Sequence, residues 1–285
     1  MKLMTLNTHS IVEENYNEKL KTFVDVIART QPDIIALQEV NQTVGKLLEK
    51  NLQETGYIPC KGKRATVLQD NHALNIAKML KARGIHYMWT WIPLKIGYQR
   101  YEEGLAILSK YPVERSEEFF ISSCKDMDNW KTRKMLGIKV KGVWYYSVHM
   151  GWWDDEEEPF TDQWERTLAG IAKTTNQNEN PLYFIMGDFN CPAQIRGEGY
   201  DHVKASGWYD TWEMAEKKDA GITVGKVIDG WRDRMETDAD GMRIDYIWCN
   251  KEVHVKTSSV VFNGINYPVV SDHYGVEIEA DIEKR

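Results

Sequence analysis

Apolar residues along the chain fall into short runs that predict alternating strands and helices. The first run, KLMTLN, is typical of a buried strand, and DIIALQEV (33–40) is a second apolar run that ends in a carboxylate. Ser10, followed three residues later by Glu13, predicts a capping box at the start of a helix between these strands. Pro32 ends that helix. Its apolar positions recur at helical spacing: Tyr16, Leu20, Phe23, Val24, Ile27 and Ala28.

The rest of the chain continues this alternation. Further helices are predicted from about Thr43 to Gln53, from near Asn71 to Gly84, from Thr161 onward, and as two short helices within 200–218. The remaining apolar runs predict strands: LAILSKYPV, MLGIKV, VWYYSVHM, PLYFIMGDFN, RIDYIWCN, VKTSSVVF and YGVEIEAD.

Several of these strands are nearly continuous apolar runs rich in β-branched residues. That pattern is typical of strands that are covered on both faces. We therefore expect an α/β protein in which two sheets pack together with helices outside. No linker, low-complexity segment or internal repeat interrupts the sequence, so residues 1–285 are expected to form a single domain.

Composition narrows the class of protein. With 42% hydrophobic residues, the chain can bury a substantial core, yet it has no apolar run long enough to span a membrane. The amino-terminal MKLMTLNTHS lacks the apolar segment of a signal peptide. The four cysteines contain no CxxC pair, which argues against a thiolate zinc site or a disulfide framework. We expect a cytoplasmic protein with reduced cysteines, no membrane association and no obligate protein partner.

The charge balance disfavours a long polyanionic substrate. The chain has 36 basic and 43 acidic residues, a net charge of −7, and an unbroken acidic run at 154–158. Proteins that bind duplex nucleic acid usually gather lysine and arginine to neutralise phosphates. A local basic patch would still suffice for a nuclease, so nucleic acid is disfavoured and not excluded.

Polar side chains recur where the apolar strands end. Any one of them can be a solvated residue at a strand end, but strands that finish at one rim can gather such residues into a cleft. The residues are Asn7, Glu39, His149, Asp188, Asn190, Asp245, Asp272 and His273.

These residue types suit phosphate chemistry assisted by a divalent cation. Glu39 offers a hard oxygen ligand of the kind that Mg²⁺ prefers, although alone it can equally be a surface carboxylate. In GDFN (187–190), Gly187 permits a sharp turn, and Asp188 and Asn190 can then point to the same side. A carboxylate and an amide could orient a water and hold a phosphate oxygen, although such turns are also common for structural reasons.

Two histidines extend this set. In SDH (271–273), Asp272 adjoins His273, an imidazole that is most useful beside a phosphate when protonated. Asp245 could accept a hydrogen bond from its other ring nitrogen and fix the tautomer. His149, at the end of VWYYSVH, is the second candidate imidazole.

LQEV, GDFN, RIDYI and SDH, in this order from Asn7 to His273, resemble the endonuclease/exonuclease/phosphatase superfamily of DNase I-like enzymes. The resemblance implies a four-layer α-β-β-α sandwich of two mostly antiparallel sheets. It implies that Glu39 is the principal Mg²⁺ or Mn²⁺ ligand, with Asn7 and Asp272 nearby. It further implies that Asp188 orients the attacking water, that Asn190 contacts the phosphate, and that His149 and the Asp245–His273 pair stabilise the transition state.

Other positions are matched more loosely. Arg133 is similar to a phosphate-contacting arginine, whereas His9 stands where some members have an acidic residue, so that it either contacts substrate or packs. HMGWWDDEEEPF (149–160) and GYQRYEEGLAILS (97–109) resemble a bacterial sugar-phosphate branch that includes maltose 6'-phosphate phosphatase. The flat rings of Trp152 and Trp153 suit a sugar, although many of the eleven tryptophans are equally suited to the core. The same holds for Trp89, Trp91 and Tyr98, which are expected in a loop-rich region before Gly104.

The sequence therefore predicts a metal-dependent phosphatase that hydrolyses a small phosphomonoester, such as maltose 6'-phosphate, by in-line attack of water. A phosphodiesterase or nuclease with the same catalytic groups is the alternative, and a secreted lipid phosphodiesterase is disfavoured by the missing signal peptide. An inactive binding module is disfavoured because the predicted catalytic groups are all present. Phosphate release from maltose 6'-phosphate, compared with nicking of an abasic-site duplex, discriminates between the first two.

Overall fold

A computed structural model describes residues 1–174, 180–225 and 241–282. In these ranges the strands are β1 Lys2–Asn7, β2 Ile34–Gln38, β3 Gln42–Thr43, β4 Met88–Gly97, β5 Tyr101–Ser109, β6 Arg115–Phe120, β7 Lys134–Val140, β8 Val143–His149, β9 Tyr183–Asp188, β10 Tyr209–Asp210, β11 Lys217–Lys218, β12 Asp245–Cys249, β13 His254–Val261 and β14 Gly275–Asp281. The helices are α1 Tyr16–Thr30, α2 His72–Lys81, α3 Phe160–Thr174, α4 Gly199–Ala205 and α5 Thr211–Met214, with 3₁₀ turns at Ser10–Val12 and Leu52–Thr55.

The strands form two sheets. The first has the order β11-β13-β14-β1-β2-β5-β3, with β4 also paired to β5, and the second has the order β10-β12-β9-β8-β7-β6. Most neighbouring strands are antiparallel; β1 with β2, β8 with β9 and β11 with β13 are the parallel pairs among the described residues. The fold is the mixed α/β, DNase I-like sandwich that the sequence predicts.

The alternation of side chains explains why the strands are apolar throughout. In β2, Ile34 and Ala36 point into the core between the sheets, whereas Ile35 and Leu37 pack in the core that includes α1 and α2. On the other side, a third core joins the second sheet to α3 and α4. Each central strand is therefore buried on both faces, as a four-layer arrangement requires.

Two local predictions are wrong. No helix runs from Thr43 to Gln53: β3, turns and a 3₁₀ turn occupy this stretch, where Leu47 and Leu48 are exposed and no apolar helical face is buried. The capping box at Ser10 is also absent, because α1 begins only at Tyr16. Ser10 instead donates to the carbonyl oxygen of Glu39 and so attaches this loop to the end of β2.

The predicted start of a helix near Asn71 is confirmed by α2. Asn71 caps α2, since its side chain accepts a hydrogen bond from the amide of Leu74. Cys60, Cys124, Cys191 and Cys249 are free thiols. Within the described ranges, every helix is too short or too polar to cross a bilayer.

Candidate active site

The strand order brings the predicted polar residues to one rim of the two sheets. Asn7, at the end of β1, lies opposite Gln38 in the parallel pair β1–β2, and Glu39 is the residue that follows Gln38. On the second sheet, Asp188 at the end of β9 lies between His149 of β8 and Asp245 of β12. A cavity of about 280 Å³ opens at this rim, and we call it the rim cavity. Its lining includes His9, Glu39, Arg133, His149, Trp152, Asp188, Asn190, Asp272 and His273.

Asp188 stands between two imidazoles. Its Oδ2 atom lies 3.6 Å from Nε2 of His149 and 3.8 Å from Nε2 of His273. The other ring nitrogen of His273, Nδ1, lies 3.0 Å from Oδ2 of Asp245. All of these side chains are buried. Asp245 therefore fixes the orientation of His273 from behind the cavity.

The two imidazoles differ in charge because their surroundings differ. Burial lowers the pKa of His149 well below its usual value, and the neighbouring cations Arg133 and Lys95 lower it further. Burial also disfavours a charged His273, but the carboxylates of Asp245 and Asp188 outweigh it and raise its pKa well above the usual value. These surroundings favour the neutral form of His149 and the protonated form of His273.

Asn7 joins the two halves of the site. Its amide nitrogen donates to Oε1 of Glu39 at 2.9 Å and to Oδ2 of Asp188 at 3.1 Å, and its amide oxygen accepts from the backbone N–H of His9. The amide oxygen, the atom that would bind a cation, therefore faces away from the carboxylates. The resemblance places Asn7 near the metal, and the two donated hydrogen bonds make it a bridge between Glu39 and Asp188.

Backbone conformation aims the two key side chains. Glu39 and Asn190 both have φ 49°, in the left-handed region that few residues other than glycine adopt. Asn190 is held there by its own backbone N–H, which donates to Oδ1 of Asp188, and by its side-chain amide, which donates to the carbonyl of Met150. Strained backbone of this kind concentrates at functional sites.

Oxygen atoms dominate the part of the rim cavity that could hold a metal ion. Glu39, Glu103 and Asp272 all contribute carboxylates, and burial together with the other two carboxylates raises the pKa of Glu39. Such a concentration of carboxylate oxygen atoms suits a hard divalent cation such as Mg²⁺ or Mn²⁺.

His9 belongs to a different group. Its Nδ1 lies 2.8 Å from Oε1 of Glu13 and 3.9 Å from Oδ1 of Asp272, while Nε2 lies 3.4 Å from the hydroxyl of Tyr98. Glu13 also accepts hydrogen bonds from Lys19 and from the backbone of Asp272. Protein groups thus hold the His9 ring in place. The ring also lines the rim cavity, where a substrate can reach it.

Among the charged and aromatic side chains that line the rim cavity, sequence reasoning missed Lys95, Glu103 and Trp130. Lys95 and Glu103 stand in apolar strands and pair with each other, with 3.3 Å between Nζ and Oε1. Buried charges in mutually paired strands are the signal that could have revealed them, because ionised side chains are almost never fully buried unless paired.

Three aromatic expectations need correction. Trp153 does not line the rim cavity; its ring packs against Phe160 and His202 beside α3 and α4. Trp89 and Trp91 lie on β4 rather than in a loop, and they are buried in the core next to α2. Trp152 does line the rim cavity, where its ring lies 5.5 Å from that of the exposed Trp130.

The acidic run is less negative than the sequence implies. Lys131 forms ion pairs with Asp155 and Glu157. Glu158 is buried, pairs with Arg166, and accepts hydrogen bonds from the loop at Ser123. Much of the charge of the acidic run at 154–158 is thus neutralised within the protein. Repulsion between this run and a phosphate backbone is therefore a weak argument against a nucleic-acid substrate.

The fold is a DNase I-like sandwich, and its rim cavity gathers most of the polar residues that the sequence singled out. The model of the Endonuclease/Exonuclease/phosphatase family matches residues 4–273. The chain therefore belongs to this family of hydrolases that act on phosphoesters. No curated protein matches it.

Solved structures agree with this assignment. An endonuclease/exonuclease/phosphatase family protein from Leptotrichia buccalis is 32% identical, with a TM-score of 0.84 over 99% of this chain and 100% of that one. A mannosyl-6-phosphatase from Bacteroides thetaiotaomicron is 14% identical, with a TM-score of 0.64 over 99% and 100%. Truncated TDP2 from Caenorhabditis elegans is 17% identical, with a TM-score of 0.57 over 99% and 97%. The last two similarities show the fold alone.

Proposed function

We propose that this protein is a metal-dependent phosphatase that hydrolyses a small phosphomonoester by in-line attack of water, with a sugar phosphate as substrate. The observation that carries the proposal is the composition of the rim cavity. Its floor holds Asp188 between a neutral and a protonated imidazole, and its mouth is formed by aromatic side chains. A phosphoryl group fits the polar floor, and a compact organic group fits the mouth.

Glu39 and Asp272 are the residues that would hold Mg²⁺ or Mn²⁺, and the oxygen-rich set around them fits such an ion. When bound, the ion supplies Lewis-acid polarisation of the phosphoryl oxygen. Asn7 holds Glu39 and Asp188 at a fixed separation through its two donated hydrogen bonds. In this proposal Asn7 acts as that bridge and does not bind the ion.

Protein groups then divide the remaining tasks. Asp188 orients the attacking water and accepts its proton. Its Oδ2 atom faces both imidazoles, whereas its Oδ1 atom accepts a hydrogen bond from the backbone N–H of Asn190. Protonated His273, oriented by Asp245, donates to a phosphoryl oxygen as charge develops there. His149, on the other side of Asp188, forms a hydrogen bond with the phosphoryl group as a neutral ring. Asn190 also contacts the phosphate.

Preference for a sugar rests on the mouth of the rim cavity. Tyr98, Trp130 and Trp152 present aromatic surface there, and Tyr98 is 57% exposed and Trp130 47% exposed. Exposed aromatic faces beside a polar floor suit a ring that is apolar on one face and polar at its edge. The fold neighbour named as a mannosyl-6-phosphatase supports this choice. Maltose 6'-phosphate remains the specific candidate.

A phosphodiesterase or nuclease is the second candidate. The ion pairs within the acidic run support this alternative. With Asp155 bound to Lys131, this side of the rim cavity would not repel a polynucleotide strongly. The catalytic groups serve either ester.

The two candidates are separated by assaying maltose 6'-phosphate and an abasic-site duplex in parallel with Mg²⁺. We expect release of inorganic phosphate from the sugar phosphate and little nicking. Asp188→Ala should reduce turnover by about 10³-fold or more while the circular dichroism spectrum stays unchanged. Strong nicking without phosphate release would contradict the phosphatase, and an active Asp188→Ala would remove the role of Asp188.

A further inference from the structure

Two buried cations lie in the wall of the rim cavity, and the proposed reaction leaves one of them, Lys95, without a task. Lys95 is 7% exposed, near the end of β4, and Arg133 is 5% exposed, immediately before β7. A buried ammonium or guanidinium group is costly unless it is paired or binds a ligand. Lys95 meets this requirement in part through Glu103, 3.3 Å away, and both cations line the cavity in which a phosphoryl group would bind.

A β-bulge places Lys95 at this position. The pairing of β4 with β5 shifts register between Pro93 and Lys95, and Lys95 then lies opposite Glu103. Bulges next to active sites commonly re-aim a side chain. Lys95 lines the rim cavity, whereas its neighbour Leu94 packs in the core between the sheets.

Polar atoms around the same cavity lack partners. Nη1 of Arg133 donates to the carbonyl oxygens of Trp130 and Thr132, which fixes the guanidinium group. Within the described part of the chain, its Nε atom is buried without a hydrogen-bond partner, as is Nδ1 of His149. Native proteins satisfy nearly all buried polar atoms, so that two unpartnered nitrogen atoms around one cavity indicate a polar ligand.

We propose that Lys95 and Arg133 form a subsite for the non-bridging oxygens of a dianionic phosphoryl group, and that Lys95 thereby selects phosphomonoesters over phosphodiesters. This inference rests on the proposed phosphatase function and deepens it. A monoester carries close to two negative charges near pH 7, whereas a diester carries one. The carboxylates of Glu39, Glu103 and Asp272 would repel the additional charge, and the buried ammonium group of Lys95 compensates for it at short range.

The test compares two substrates that share a leaving group, 4-nitrophenyl phosphate and its methyl diester, in the presence of Mg²⁺. Lys95→Met keeps most of the side-chain volume and removes the charge. We expect kcat/KM for the monoester to fall about 100-fold, and that for the diester to fall less than about fivefold. Lys95→Arg should retain most of the preference for the monoester.

Lys134→Met is the matched control. Lys134 also pairs with a glutamate, Glu118 at 3.2 Å, but lies outside the rim cavity, so this variant should leave the ratio of the two rates unchanged. If Lys95→Met fails to fold because Glu103 loses its partner, Lys95→Met combined with Glu103→Gln removes both charges and permits the same comparison.

Failure of this inference is distinguishable from failure of the proposed function. Equal losses for monoester and diester in the Lys95 variants would show that Lys95 only supports the structure. A wild-type protein that itself hydrolyses the diester faster would overturn the phosphatase proposal as a whole.

Discussion

At the scale of single residues, burial alone does not determine the charge of a histidine. His72, His149 and His273 are all buried, yet only the pKa of His273 is raised, because two carboxylates face its ring. The candidate site uses this difference. It places His273, which favours the protonated form, on one side of Asp188 and His149, which favours the neutral form, on the other. His273 can then only donate hydrogen bonds, whereas His149 can also accept one.

His72 provides a test of this electrostatic description away from the site. Burial lowers its pKa to about 3, and its Nδ1 accepts a hydrogen bond from Tyr16. The unfolded chain binds a proton near pH 6.5 and the folded chain does not, so acid favours unfolding between these values. We expect His72 to cost about 2 kcal/mol of unfolding free energy between pH 7.5 and pH 5.

Urea unfolding of wild type and His72→Gln at both pH values measures this cost. The variant should lose less stability than wild type as the pH falls. An identical pH dependence in the two proteins would show that His72 does not titrate as described.

At the scale of elements, apolar pattern predicted most of the central strands and α2, because a strand covered on both faces carries an almost continuous apolar run. The same reasoning failed at Thr43–Gln53, where apolar residues are exposed or packed individually. It also missed β4, because the tryptophans there were attributed to a loop at the substrate. A charge within an apolar strand could have drawn attention to Lys95, but its place in the rim cavity depends on a bulge that sequence spacing does not reveal.

Gly187 shows how tightly an element constrains the site. It has φ 149° next to Asp188, and a Cβ atom there would lie 2.0 Å from the carbonyl oxygen of Val148. Gly187→Ala should therefore force β8 and β9 apart, destabilise the protein by about 3 kcal/mol or more, and reduce activity.

Gly142→Ala is the control, because Gly142 also has positive φ but nothing lies within 4 Å of the added atom. We expect it to cost about 1 kcal/mol in urea unfolding. Similar costs at the two positions would contradict the close approach of β8 and β9.

At the scale of the whole molecule, net charge does not reveal how charges are arranged in the site. The chain carries a net charge of −7, yet the rim cavity contains Lys95 and Arg133, and Lys131 neutralises part of the acidic run. The ordered motifs predicted which residues gather at the rim, whereas the composition of the mouth and the pairing of the acidic run needed the three-dimensional structure. A single domain over residues 1–285 and a cytoplasmic location remain predictions.

Metal-dependent release of inorganic phosphate from maltose 6'-phosphate tests the central claim most directly. The protein is stripped with EDTA, assayed, and assayed again after Mg²⁺ is restored in excess. We predict that turnover falls at least about 100-fold on stripping and returns with Mg²⁺, because the carboxylates of Glu39 and Asp272 then regain their cation. Turnover that is unchanged by stripping would contradict the account, as would a restored protein that releases no phosphate from any phosphomonoester but cleaves phosphodiesters.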